Sequence, residues 1–273
     1  MQLILATRNR HKLAEVNALL GGAVRCLSLQ DFPAAPEVAE DAPTFAGNAA
    51  KKVLALAAWL SGGANGKGGM KNGKCLILAD DSGLEVDALG GAPGVHSARF
   101  AALDSGQPGN STDAENNAKL LRLLAGVPPE RRTARFRCVL ALTELNPRSA
   151  LRAPRWFDGV CEGRLGFAPK GAHGFGYDPL FLPVGFDLTF AELGEEVKNR
   201  LSHRAQALTA LKAWLEASGT AHPIGLYGDD HAGVEFQGLV GVIGAGSRLR
   251  PGAAEDGVPA LPASHRGPAG SDC

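Results

Sequence analysis

The hydrophobic pattern opens with a short apolar run, Gln2 to Ala6, which predicts a buried first strand. Leu13, Val16, Leu19 and Leu20 then share one helical face, and Gly21-Gly22 marks that helix's end. Thr44 is placed to cap a second helix whose apolar stripe is Phe45, Ala49, Val53, Leu54 and Ala57. Leu76 to Ala79 reads as a buried strand that stops at two adjacent aspartates, Asp80 and Asp81, and "GGAPG" from Gly90 reads as a tight turn. Thr112 and Glu115 form a capping-box pair at the head of a helix through Leu120, Leu121 and Leu124. Arg135 to Leu142 alternates and then becomes wholly apolar, as a central strand does, and Trp156 to Gly166 reads as a further strand. A last amphipathic helix spans Leu201 to Ala217, with Leu201, Leu208, Leu211, Trp214 and Leu215 on one face.

This mixture of strands and helices predicts an α/β fold with one main domain over residues 1–217. Within it, residues 61–74 are so rich in glycine that a flexible insertion is expected. Residues 218–273 are dense in Gly, Pro and Ala, and are expected to form a disordered tail in which only Val234 to Gly244 has strand character. Lys+Arg and Asp+Glu balance at 28 each, so net charge offers nothing to attract nucleic acid or a membrane surface. An anionic ligand must therefore be held by a local cluster. The five cysteines show no CxxC or Cys/His spacing, which signals neither a disulfide framework nor a structural zinc, and Cys75 and Cys138 read as small buried residues. The N-terminal apolar run is too short for a signal peptide and no run is long enough to span a membrane, so the cytoplasm is the expected compartment.

The acid doublet is the first candidate for chemistry. Adjacent carboxylates repel, and persist when a cation or a proton offsets them. Carboxylate oxygens are ligands Mg²⁺ prefers, and a carboxylate beside a metal can take a proton from attacking water. The plainer reading is a strand-end turn with an Asp cap. Gly83, after Ser82, permits a sharp turn or close approach to a ligand. Thr7 to Glu15, "TRNRHKLAE", joins a strand to a helix, either as a phosphate-binding helix N-terminus or as an ordinary connection with solvated basic residues. Asn48 and Lys52 share a helical face, which either grips phosphate or simply faces solvent, and Glu40 just before that helix is a possible metal ligand. "GAHGFGYDPLF", Gly171 to Phe181, sets Phe175 and Tyr177 among glycines, as a base-stacking loop or as a hairpin packing its rings into the core. Ser202 is a natural N-cap, and His203 and Arg204 behind it oppose the helix dipole, so a ligand contact explains them better than helix stability does.

In this order the stretches "LATRNRHKLAEV", "TFAGNAAKKV", "ADDSGLEVDALGGAPGVHSARF", "ARFRCVLAL", "GFGYDPLF" and "SHRAQAL" resemble the Ham1-like inosine triphosphate pyrophosphatase family. The resemblance covers residues 1–217; the glycine-rich run at 61–74 and "ALDSGQPGNSTDAEN" are additions to the pattern. It implies a long, twisted mixed sheet flanked by helices, two lobes with a cleft between them, and a homodimer. It also implies Mg²⁺-dependent hydrolysis of ITP, dITP and XTP to the monophosphate and pyrophosphate. By motif position, Asp81 corresponds to the proton acceptor and a metal ligand, and Glu40 to a second metal-binding acid. Thr7, Arg8, Asn9, Arg10, His11, Lys12, Lys52 and Ser82 correspond to the triphosphate site. Phe175, Gly176, Tyr177, Asp178, Lys198, His203 and Arg204 correspond to nucleotide and base contacts. Two alternatives stay open: a pyrophosphatase of the Maf-like type, and a nucleotide sensor that binds without cleaving.

Overall fold

The computed structural model describes residues 1–21, 24–62, 75–106, 109–145 and 153–219. The glycine-rich run from residue 63, and the expected tail beyond residue 219 with its one strand-like stretch, lie outside them. A six-stranded sheet has the order β2-β1-β3-β4-β5-β6. Its strands are β1 (Gln2–Leu5), β2 (Arg25–Ser28), β3 (Cys75–Val86), β4 (Thr133–Glu144), β5 (Arg155–Leu165) and β6 (Phe181–Pro183). β1 pairs in parallel with β2 and β3, and the remaining pairs are antiparallel, so the sheet is mixed. The helices are α1 (Arg10–Leu20), α2 (Phe45–Gly62), a short α3 (Ala102–Ser105), α4 (Asp113–Leu123), α5 (Phe190–Leu201) and α6 (His203–Ala217).

The alternation of side chains along the strands divides the core. Leu3, Leu5, Leu76 and Leu78 pack with α1 and α6 through Val16, Leu208, Leu211 and Leu215. Ile4, Ala6, Ile77 and Ala79 face the other way, onto Ala49, Val53, Leu56 and Ala57 of α2. β3 and β4, at twelve residues each, run on past these layers into a second lobe. There Leu84, Val86 and Phe136 join Leu120 of α4, Tyr177, Phe181 and Phe190.

β3 does not stop at Ala79, as the sequence suggests. It continues through Asp80, Asp81, Ser82 and Gly83, because β4 offers an unbroken antiparallel partner from Leu76↔Glu144 to Val86↔Ala134. The doublet is therefore in the middle of a strand, at the passage from one lobe to the other. Gly83 makes no turn. A Cβ there would collide with Ser97, the Gly94 carbonyl and Phe45, so protein packing requires its bareness.

Other expectations hold with adjusted limits. Thr44 caps α2 through its hydroxyl to the Gly47 N–H at 3.0 Å, and Thr112 and Glu115 form the capping box of α4. Leu201 ends α5 instead of lying on the last helix, since Ser202 adopts an extended conformation and caps α6.

Candidate active site

Because side chains alternate along β3, the two aspartates point to opposite faces of the sheet. Asp80 follows Leu76 and Leu78 toward α1 and α6. Its carboxylate accepts from Lys12 of α1, from Arg204 Nε at 2.7 Å and from the Ser82 hydroxyl at 2.7 Å. Asp81 follows Ile77 and Ala79 toward α2, where Lys52 Nζ donates at 2.7 Å and Asn48 Nδ2 at 3.2 Å. Each acid is thus offset by its own lysine, one per face. Lys52 also donates to the Asp80 carbonyl at 2.8 Å, which ties it to the strand's backbone.

These surroundings separate two identical groups. Burial would raise Asp80, yet Arg204 and Lys12 hold it well below the usual carboxylate range. At Asp81 burial prevails over Lys52, with Glu40 adding its own negative charge, and the carboxyl lies above the ordinary value. Lys52 is raised despite burial by Asp81 and Glu40. Glu40 is the most open member of the group, its side chain 40% exposed, with Oε1 at 3.4 Å from Lys52 Nζ. The Arg99 guanidinium donates to the Glu40 carbonyl at 2.6 Å and fixes that stretch of chain from the second lobe.

On the other face a chain of alternating charges runs from the doublet to the aromatic loop. Arg204, only 2% exposed, bonds Asp80, Glu15 of α1 and Ser82. Glu15 in turn lies 3.0 Å from Lys198 Nζ, and Lys198 donates to Asp178 at 2.6 Å. Burial alone would lift Glu15, but Arg204 and Lys198 hold it below its ordinary value. Asp178 is raised by burial, with Lys198 offsetting part of the effect. The start of α6 reaches the doublet because β5 carries Gly159 beneath it, where a Cβ would overlap the His203 carbonyl. His203 stacks on Phe136 at 4.8 Å, and burial together with Arg204 pushes its pKa well below the usual value, so the ring is neutral at pH 7. Its Nδ1 is buried and without a partner, a state shared among the described residues only by Asn117 Oδ1.

These groups border a cleft of about 1160 Å³, lined from the first lobe by Thr7, Lys12 and Lys52 and from the second by His96, Asn116 and Phe175. Positive and negative groups meet there, beside the rings of Phe136, Phe175 and His203. That is a site suited to a charged ligand with a flat, polar end. The Ham1 family profile matches residues 3–214.

The chain belongs to the Ham1 family.

It is 46% identical over 215 residues to the dITP/XTP pyrophosphatase of Shouchella clausii, covering 79% of this chain and 96% of that protein. It is 49% identical to the protein of the same name from Desulforamulus reducens, covering 76% and 92%. Among solved structures, the HAM1 protein of Coxiella burnetii superposes with a TM-score of 0.64 at 37% identity, over 80% of this chain and 99% of the other. The Staphylococcus aureus Ham1 protein gives the same score at 32% identity, over 80% and 100%.

Within this Ham1 chain, most residues singled out from sequence line the cleft, with exceptions that follow from local bonding. Asn9 caps α1 and accepts from the His11 and Lys12 N–H groups, so the helix start binds its own side chain first. Arg8 lines the cleft but donates to the Ala35 carbonyl at 3.2 Å, Arg10 is exposed outside it, and His11 stacks on Phe175 at 5.0 Å from behind. Asn48 and Lys52 are buried rather than solvent-facing, because their polar ends hold Asp81. Tyr177 is in the core with its hydroxyl on the Ser97 carbonyl at 2.8 Å, which leaves Phe175 as the loop's available ring. Gly176 and Asp178 border the cleft through the loop backbone, and Lys198 is buried beneath Phe175, its Nζ 4.2 Å from the ring centroid. Sequence reasoning missed Glu15 and Arg99. A usable signal existed for Glu15: it is three residues beyond Lys12 on one helix and so shares that lysine's face.

Proposed function

We propose that this chain is a Mg²⁺-dependent nucleoside triphosphate pyrophosphatase. It hydrolyses ITP, dITP and XTP to the nucleoside monophosphate and pyrophosphate, which keeps these bases out of DNA and RNA. The observation that carries the reading is Asp81: a buried carboxyl raised above its ordinary value, at a cleft, with Lys52 and Glu40 beside it. The relatives' printed activity supports it.

Asp81 and Glu40 converge on one ammonium, Lys52 Nζ, at 2.7 and 3.4 Å. Among the described residues no group of three or more His, Cys, Asp or Glu side chains could cage a metal. Mg²⁺ asks for no such cage, since it keeps waters and is commonly bound by one or two carboxylates with substrate phosphates, so the two acids fit it. When bound, Mg²⁺ supplies charge neutralisation on the phosphates. Asp81 takes the proton of the attacking water as its oxygen bonds to the α-phosphorus. The bond from that phosphorus to the bridging oxygen then breaks and pyrophosphate leaves. Lys12 and Lys52 oppose the negative charge that develops.

Phe175 offers a stacking face to the purine, and His203 lines the cleft beside Arg204 as a second polar contact for the base. A site that must satisfy a buried polar group on a 6-keto purine rejects a 6-amino purine strongly, because the group is then left unpaired. The base contact proposed for Arg204 requires exchanging one of its bonds to Asp80, Glu15 or Ser82 for a ligand oxygen. Homodimerisation and a cytoplasmic site of action complete the proposal. No helix among the described residues is long and apolar enough to cross a membrane.

The test is pyrophosphate release from ITP, XTP, ATP and GTP, with and without Mg²⁺. ITP and XTP are expected to be cleaved far faster than ATP and GTP, only with Mg²⁺, and Asp81→Asn is expected to lose at least about 10²-fold in kcat. A Maf-like activity would instead favour pyrimidines. A sensor would bind ITP tightly and release no pyrophosphate.

A further inference from the structure

The aromatic loop is held by a helix to which no role has so far been given. Asp113 and Asn117 are four residues apart on α4 and share one face. Asp113 Oδ2 accepts from the Gly176 N–H at 2.6 Å, and Asn117 Nδ2 donates to the Gly176 carbonyl at 2.9 Å. One residue of the loop therefore has both backbone polar groups clamped from outside. Asn117 is buried, and its Oδ1 has no partner, so its amide has one side-chain hydrogen bond, to Gly176. Gly171, Gly174 and Gly176 of the loop all have positive φ, and Asp178 accepts from the Phe175 N–H at 2.9 Å, so α4 adds a second hold beside the loop's own. α4 is itself anchored, by its capping box and by Asn116, which bonds the Ala98 carbonyl and the Ala101 N–H.

We propose that Asp113 and Asn117 are positioning residues for base recognition. By holding the Gly176 peptide they fix the Phe175 ring, its immediate neighbour, against the cleft. Asn117 acts wholly through Gly176, for it does not line the cleft. The proposal rests on the pyrophosphatase reading for its kinetic consequence, whereas the clamp itself can be measured without turnover.

The experiment uses the full chain with Asp113→Ala, Asp113→Asn, Asn117→Ala and Asn117→Leu. The last is close in size and shape and lacks the donor, so it carries the test if the alanine variant does not fold. In hydrogen exchange, the Gly176 amide is expected to exchange faster in Asp113→Ala, and Asp113→Asn, which keeps an acceptor oxygen, to restore most of the protection. Loss of one such bond is expected to raise KM for ITP by about tenfold with kcat changed less than about twofold. In a Phe175→Ala background, Asn117→Ala is expected to add little to KM. A fall in Tm with KM and loop exchange unchanged overturns the proposal, as does full additivity with Phe175→Ala. If the wild-type chain cleaves no triphosphate, the pyrophosphatase reading fails while the exchange result still decides the clamp.

Discussion

Asp80 and Asp81 have the same side chain and opposite surroundings. Asp80 is bonded to two cations and a hydroxyl, which leaves it poorly suited to accept a proton. Asp81, raised and sharing Lys52 with Glu40, is the acid to which the proposed chemistry is given. Glu15 is the residue on which the network's stability can be read. Its pKa is depressed in the fold, so its stabilising effect is complete above the unfolded value of 4.5 and is lost as pH falls through the folded value. Glu15→Gln leaves Arg204 and Lys198 short of a countercharge and is expected to cost about 3 kcal/mol at pH 7. Denaturant melts at several pH values check this, with the gap to wild type expected to narrow from the unfolded pKa downward and to close below the folded one. What was legible at this scale was residue identity: Asp81, Lys52, His203 and Arg204 were all singled out from their types and spacing. What was not legible was which atom holds which. Arg204 looked like a free donor in the sequence, yet its acceptors come from residues as distant as Glu15.

At the scale of elements, β3 was read too short for a physical reason. Charged residues in a strand interior look like an ending when the strand is considered alone. Only the β4 partner, remote in sequence, shows that the backbone bonds continue past them. α5 was missed because Gly194 interrupts its helical dihedrals and because Ser202 places a second helix directly after it. The caps at Thr44, Thr112 and Ser202 were readable because capping is local chemistry. Gly159 is the opposite case, an ordinary strand glycine until α6 is packed on it. Gly159→Ala is expected to lift the first turn of α6 off β5 and to destabilise the fold by at least about 2 kcal/mol. Thermal melts measure the loss. Since His203 and Arg204 ride on that turn, kcat/KM for ITP should fall further than that of a core variant of equal Tm.

For the whole molecule, the α/β class was accessible from sequence, because strand and helix patterns are each readable along the chain. The two faces of the sheet were not, since they depend on which helix covers which side. The described residues all lie in one compact unit, Met1–Leu226, which contains every group assigned to the site. A chain ending at Gly219 is therefore expected to keep the Tm, the ITP turnover and the oligomeric mass of the full chain. Melting, pyrophosphate release and light scattering on the truncated protein test this, and loss of any of them would give the remaining residues a part in the fold or its assembly. The alternation along β3 has a last consequence. Parity, odd or even, decides which aspartate faces α2 and which faces α6. Inserting a single residue just before Ala79 would leave the motif's letters intact, yet it would turn Asp80 toward α2 and Asp81 toward the face of α1 and α6. The chemistry of this site is thus written partly as a count along the chain, which no inspection of the motif in isolation reveals.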